Sequence, residues 1–320
     1  MYHDLNLVIR VLQEFYVHDY NQSEISDIEH ISKSTISRIL KMAKEEGLVS
    51  FNLNLPIPSL YDLEEQMKNT FKIKHVSIVP NSVSDVDSRY MDVAKKLAVD
   101  INKIIQDGDA IGLCWGRGMN ILSNNLIPCV PIKHNLKIVQ ISGSLAQRIG
   151  SSVSYNIVEN FSENYLCNGY ILPAPAIVDS IELKDLLIAD TQIKEVLNIG
   201  ERARIAIFGI GIMSSESTVF KTGTVSLSYY DHLKRKGAVS DILTHFLDIE
   251  GNIADVELDK RTVCLSLESL KRKEYRIAFA AGDYKAKAII SGLNSGVINS
   301  FYTDELTARK VIEEYKKIFG

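Results

Sequence analysis

From residue 74 onward the chain alternates between two periodicities, and that alternation confines it to one class of fold. Short apolar runs at 75–80, 110–114, 137–141, 203–208, 276–280 and 298–302 read as buried strands. Between them, apolar residues recur at helical spacing; Val93, Ala94, Leu97, Ile101, Ile104 and Ile105 mark the longest such stretch, and shorter helices are expected at 182–190 and 191–198. Strand and helix in repeated alternation require crossover connections. The expectation is therefore an α/β unit whose mainly parallel sheet is covered on both faces. Within it, Gly237-Ala238-Val239-Ser240-Asp241 reads as the start of an apolar helix, with Asp241 either its cap or an acceptor for ligand hydroxyls.

A chain of 320 residues exceeds one ordinary core and suits two unequal domains. Hydrophobic residues make up 46% and charged residues 24%, the balance of a soluble globular protein. No apolar run approaches the roughly 20 residues of a membrane span. Asp4, Arg10 and Glu14 interrupt what would be the apolar part of a signal peptide, so a cytoplasmic protein is expected. Cys114, Cys129, Cys167 and Cys264 lie far apart with no histidine at ligand spacing, which favours reduced thiols and no metal site. No cofactor is expected either, because neither a dinucleotide fingerprint nor a P-loop is present.

The first 54 residues have a different texture. Leu5, Val8, Ile9, Leu12, Phe15 and Tyr16 fit one helix ending near residues 18–20, and Gln22-Ser23 opens a second with Ile25 and Ile28 inward. Glu29-His30-Ile31 makes a turn, and Ser32 is a good cap for a third helix with Ile36, Ile39, Leu40 and Ala43 on its core face. Its other face carries Ser34, Ser37, Arg38, Lys41 and Lys44. Gly47 stops it, and 48–53 alternate like the first strand of a wing. The net charge of the chain is −4. Residues 1–54 hold five basic and eight acidic groups, a balance of −3, yet 31–44 hold four basic groups and no acid. Phosphate contact depends on the field within about 8–10 Å, so such a stripe can act despite an acidic total. Short side chains early in the third helix let it enter a groove; Arg38 can reach guanine or phosphate, and Lys33 and Lys41 supply point charges. The candidate DNA-binding residues are Gln22, Ser32, Lys33, Ser34, Thr35, Ser37, Arg38 and Lys41. The plain alternative is a solvated helix face. Residues 55–58, with two prolines, form the linker, and 59–320 the second domain; Ser59 is a candidate cap for a helix that packs on that domain or on a partner subunit.

In a parallel α/β sheet, ligands gather beyond the carboxyl ends of the strands. Four loops qualify there: Gly116-Arg117-Gly118, Ser142-Gly143-Ser144, Gly209-Ile210-Gly211 with nearby serines, and 281–285 with Lys285 at a helix start. Each alone is what a tight strand-to-helix turn needs anyway. Several in one sheet, two with a cation, point to a phosphorylated small molecule. Asp304-Glu305 fits helix capping better than catalysis.

These residues resemble a known family. The run YNQSEISDIEHISKSTISRILKMAKEEGLVSF, then DGDAIGLCWG, VQISGS, LPAP, IAIFGIG, GAVSDILTHFLDIEG, AGDYKAKAI and TDELTA, is similar in order to the SorC family of sugar-responsive bacterial regulators. The resemblance implies a winged helix-turn-helix domain followed by a Rossmann-like effector domain, similar to sugar-phosphate isomerases. It also implies homo-oligomers, dimeric or tetrameric, that bind double-stranded operator DNA and a phosphorylated sugar or polyol. Carried over position by position, it assigns the effector to Gly116, Arg117, Gly118, Met119, Ser142, Gly143, Asp241 and Lys285. Two positions depart from the pattern: Gly118 stands where a hydroxyl residue is usual, and Ser240 where glycine is. The competing expectation is a sugar-phosphate isomerase or deaminase with an added nucleic-acid domain; it lacks an obvious histidine or lysine partner for Asp241, Asp283 or Glu305 in the sequence.

Overall fold

The structure is a computed structural model that describes residues 5–49, 60–81, 85–145, 153–215 and 217–320, with side chains in the helix beginning at Val153 described from Tyr155. The chain divides into two compact units, Met1–Pro58 and Ser59–Gly320.

The first unit holds α1 (Leu5–Tyr16), α2 (Gln22–Glu29) and α3 (Lys33–Glu45). Val8, Val11, Ile25, Ile36, Ile39 and Leu40 form its core. Asn21 caps α2 in a reciprocal box, accepting from Ser23 and Glu24 N–H while the Glu24 carboxylate accepts from its own. Ser32 caps α3. α1 ends at Tyr16, the last residue of its apolar pattern and short of the end expected near residues 18–20, and Asp19 turns the chain at φ 57°. Ile28 does not point inward; it is 48% exposed. The inward stripe of α2 runs through Gln22, Ile25, Ser26 and Glu29. Its polar members are satisfied: Ser26 Oγ donates to the Ile31 carbonyl at 2.6 Å, and Arg10 grips Glu29 with bonds of 2.8 and 2.7 Å. Of the wing, Leu48 and Val49 are described and are not in a strand, and its remainder, the linker and Ser59 lie outside the described residues.

Among the described residues the second unit carries ten strands: β1 (His75–Val79), β2 (Ala110–Leu113), β3 (Lys137–Gln140), β4 (Asn168–Tyr170), β5 (Ile205–Gly209), β6 (Gly211–Ile212), β7 (Ser240–Ile242), β8 (His245–Leu247), β9 (Tyr275–Phe279) and β10 (Ser300–Asp304). Seven form one sheet in the order β1-β10-β9-β5-β2-β3-β4, and every pair in it is parallel. Gly112, in the middle of β2, pairs with Val139 on one side and Ala206 on the other. The helix Tyr61–Phe71 belongs to this unit. It buries Leu63, Met67 and Phe71, its Glu64 accepts from Ile78 N–H, and Phe71 packs edge-on against Tyr315.

The segment expected to be a helix at Asp241 is instead a β-hairpin. β6, β7 and β8 form a small antiparallel sheet in which Gly211 pairs with Asp241 and Ser240 with Leu247. Leu243 and Thr244 make the turn at φ 51° and 74°. Every residue from Ser240 to Leu247 is buried, so the segment has no solvent face to impose a period, and an apolar run of that length fits either element.

Candidate functional site

The strand order contains a reversal. From β2 the chain moves outward to β3 and β4, then returns to place β5 on the other side of β2 and continues to β9 and β10. Loops leaving β2 and β5 therefore diverge, and the crevice between them is where a doubly wound sheet receives its ligand. A cavity of about 910 Å³ lies there, large enough for a small organic molecule.

Three of the four expected loops meet in it. Gly116, Arg117, Gly118 and Met119 follow β2, Gly209 to Ser214 follow β5, and Lys285 follows β9. Asp241 reaches the same space from the hairpin. Its approach explains a glycine: a Cβ on Gly211 would stand 1.8 Å from Asp241 Oδ1. Gly116, at φ 132°, makes the turn into the helix Arg117–Ser123. Arg117 is half exposed and paired with Asp87, and Met119 is fully buried. A Cβ on Gly118 would lie 2.4 Å from the Tyr90 hydroxyl, so the Tyr90 ring occupies the space a longer residue at 118 would need.

Ser142 and Gly143 lie behind the wall, not on it. Ser142 is fully buried, with Oγ 3.2 Å from Thr244 Oγ1 and 3.4 Å from the Leu243 carbonyl, so it supports the hairpin turn. Gly143 accepts from Trp115 Nε1 at 2.8 Å and donates to Val263, and a Cβ there would strike the Pro175 carbonyl at 2.4 Å. Close backbone approach accounts for that glycine.

The electrostatics of the cavity are lopsided. Among the described residues Arg117, Lys221, Lys234, Lys285 and Lys287 line it with one carboxylate, Asp241. Lys221 and Lys234 were not expected from the sequence; they sit between β6 and β7, on short helices that no glycine loop advertises. Lys285 Nζ donates to the Ile210 carbonyl at 3.2 Å and lies 5.4 Å from the centre of the Tyr90 ring. Burial lowers the Lys285 ammonium to about 8, against the pull of Asp241. Burial pushes the Asp241 carboxyl up to about 6, opposed by Lys285 and a hydrogen bond from Thr244. The two shifts share a cause: burial leaves both groups short of the solvation that a polar ligand would restore.

Asp304 is a cap. Its carboxylate accepts from Thr307 N–H at 3.1 Å and from Arg89 at 2.6 Å, and both partners are buried. Among the described residues no group of three or more histidine, cysteine, aspartate or glutamate side chains is placed to hold a metal ion.

On the first unit, Ser32, Lys33, Ser34, Ser37, Arg38 and Lys41 are all exposed on one side of α3, with Thr35 half-buried. The hydroxyls of Ser34 and Thr35 lie 2.8 and 2.9 Å from Ser32 Oγ, forming a polar cluster at the start of the helix. Lys41 has a loose partner in Glu45 at 3.7 Å. Gln22 is half-buried in the inward stripe of α2.

Comparison with known proteins places this architecture. Residues 56–313 match the Sugar-bind family model of sugar-binding domains. The chain is 28% identical to the deoxyribonucleoside regulator of Bacillus subtilis, over 96% of this chain and 97% of that one. It is 24% identical to the sorbitol operon regulator of Klebsiella pneumoniae, over 97% and 98%. The crystal structure of that full-length Klebsiella regulator, SorC, superposes with a TM-score of 0.80 at 22% identity, covering 98% of this chain and 100% of the other. A domain of a sugar-binding regulator from Arthrobacter aurescens superposes at 0.73, covering 81% of this chain and 99% of that one. The chain belongs to the SorC family of transcriptional regulators, with a sugar-binding domain of the Sugar-bind type spanning residues 56–313.

Proposed function

We propose that this protein is a DNA-binding transcriptional regulator of a carbohydrate-utilisation operon, and that a phosphorylated sugar or polyol in the β2/β5 cavity sets its operator affinity. The observation that carries the effector class is the charge of the cavity: among the described residues five cations line it with one carboxylate, and of the five Arg117 is paired with Asp87. A phosphate group satisfies such an excess, and Asp241 supplies an acceptor for hydroxyls. Two relatives are named for deoxyribonucleosides and for sorbitol, a sugar and a polyol theme that supports the same class.

α2, the turn and α3 serve in this reading as a helix-turn-helix, with α3 entering the major groove of double-stranded DNA. Arg38 and Lys33 provide its charge, while Ser34, Thr35 and Ser37 allow close approach. Residues 1–54 carry a net charge of −3, so one copy binds weakly. Specific binding then needs a homo-oligomer, dimer or tetramer, that holds copies at a fixed spacing. The effector acts by linkage, binding one arrangement more tightly than another. The protein works in the cytoplasm, where DNA and phosphorylated sugars meet. Among the described residues no helix is long and apolar enough to cross a membrane.

A thermal-shift series tests the effector class: pentose, hexose and hexitol phosphates beside their unphosphorylated parents. A true effector at 100 times its dissociation constant stabilises by about 2.7 kcal/mol. The reading fails if no phosphorylated compound raises the melting temperature, or if the parents do so equally.

A second reading draws on the shifted pair itself. Asp241 near 6 and Lys285 near 8 share a cavity, and such values suit general acid–base chemistry on a sugar phosphate. The naming of the relatives as regulators weighs for sensing. Incubation with sugar phosphates separates the two, because an enzyme turns them over and a sensor returns them unchanged.

A further inference from the structure

Outside the residues that line the cavity, three side chains between positions 245 and 264 come together in an arrangement that no motif reveals. His245, on β8, is buried. Its Nδ1 lies 2.5 Å from Asp259 Oδ1, and its Nε2 lies 3.0 Å from the Leu265 carbonyl and 3.1 Å from Cys264 Sγ. The carboxylate and the carbonyl are acceptors only, so each ring nitrogen must present a proton, and the ring is held as an imidazolium. Burial alone would lower its pKa; the Cys264 sulfur and Asp259 outweigh burial and hold it well above its usual value. Asp259 and Cys264 address opposite nitrogens, so they do not converge on a metal ion.

We infer that Cys264, with His245 as its proton-bearing partner and Asp259 as the orienting carboxylate, is a thiol-modification site for small disulfides. The Cys264 thiol releases its proton to solvent, the resulting thiolate attacks one sulfur of the disulfide, and a new S–S bond forms to Cys264 as the old one breaks. The departing sulfur takes the electron pair and a proton from solvent, while the Nε2 proton of His245 stays on the ring and offsets the negative charge on the reacting sulfurs. Cys264 is oxidised, the disulfide is reduced to one thiol and one mixed-disulfide half, and any dithiol reductant reverses the step. Position gives the modification a route to the cavity. Cys264 bridges to Ser142, whose hydroxyl supports the turn of the hairpin that carries Asp241.

The chain contains its own control. Cys167 is half-buried like Cys264, but burial pushes its thiol up to about 11. Cys114 and Cys129 are buried. The experiment treats the native full chain with dithiodipyridine, follows the released thiopyridone, and assigns the labelled cysteines by peptide mass spectrometry. Cys264 should react at least about tenfold faster than Cys167, and His245→Gln should remove most of that advantage. Asp259→Asn, at a partly exposed side chain, is a milder variant that should also slow Cys264 should His245→Gln fail to fold. Rates at Cys264 and Cys167 within about twofold of each other in the wild type would overturn the assignment. So would a Cys264 rate left unchanged by a folded variant at His245 or Asp259.

Discussion

Asp241 and Lys285 share one cavity and the same burial, and both consequences can be measured. The folded Asp241 carboxyl titrates near 6 against an ordinary value of 3.8. Between those values the folded protein holds a proton that the unfolded chain has lost. Ionised Asp241 therefore costs stability above pH 6, and the cost fades as pH falls toward 4. The size is about 3 kcal/mol. Asp241→Asn should be more stable than wild type at pH 7 by up to that amount, with the difference gone near pH 4 in urea titrations; a difference independent of pH would refute it. Lys285 titrates near 8 against 10.5, so its charge is lost to the site above about pH 8. A ligand that needs both charges binds best between about pH 6 and 8, and Lys285→Ala should weaken it about 10–100-fold. Gly118 offers a steric test. Gly118→Ser should abolish ligand binding or cost stability because of the Tyr90 hydroxyl, and Tyr90→Ala should relieve it. A tolerated single substitution would show that Tyr90 does not fill that space. At this scale the sequence was legible where chemistry advertises itself. Arg117 between two glycines and Lys285 at a helix start after Gly282 stood out, whereas Ser142 and Gly143 looked identical to ligand loops although their glycine serves close packing against Pro175.

Helices that cap themselves were easier to read than a hairpin buried on all sides. α3 could be outlined from Ser32, the Ile36–Ile39–Leu40–Ala43 stripe and Gly47, because one face meets water and imposes a period. The segment from Ser240 to Leu247 has no such face, and its strand character comes from pairing with β6, 28 residues back by register at Ile212 and Ser240. Nor did the sequence single out Asn21 as the cap of α2, since Gln22-Ser23 also resembles a start. Asn21→Ala should cost about 1 kcal/mol in the first unit, measured by the loss of helical signal on heating; no loss would mean that the box contributes nothing. For α3 itself, Arg38→Ala should weaken DNA binding and reduce the salt slope by about one phosphate while leaving ligand binding intact. An unchanged slope would remove Arg38 from the interface.

Across the whole molecule, alternation of strand and helix implied a parallel sheet but not its order. The order matters most, because the return from β4 to β5 opens the crevice beside β2 and brings the loops at 116–119, 209–214 and 285 to one cavity. Chain-wide resemblance to a regulator family supplied the rest of the functional reading, since no spacing within one loop encodes such convergence. The central claim is that occupancy of this cavity alters what α3 does on DNA. The direct measurement is fluorescence anisotropy of the full chain on its operator, with and without the sugar phosphate that gives the largest thermal shift, in wild type and Lys285→Ala. The account predicts a change in operator affinity of about 5–150-fold in wild type, the range of a typical coupling, and little change in Lys285→Ala at the same ligand concentration. Superimposable wild-type binding curves with and without a ligand that demonstrably occupies the cavity would contradict it.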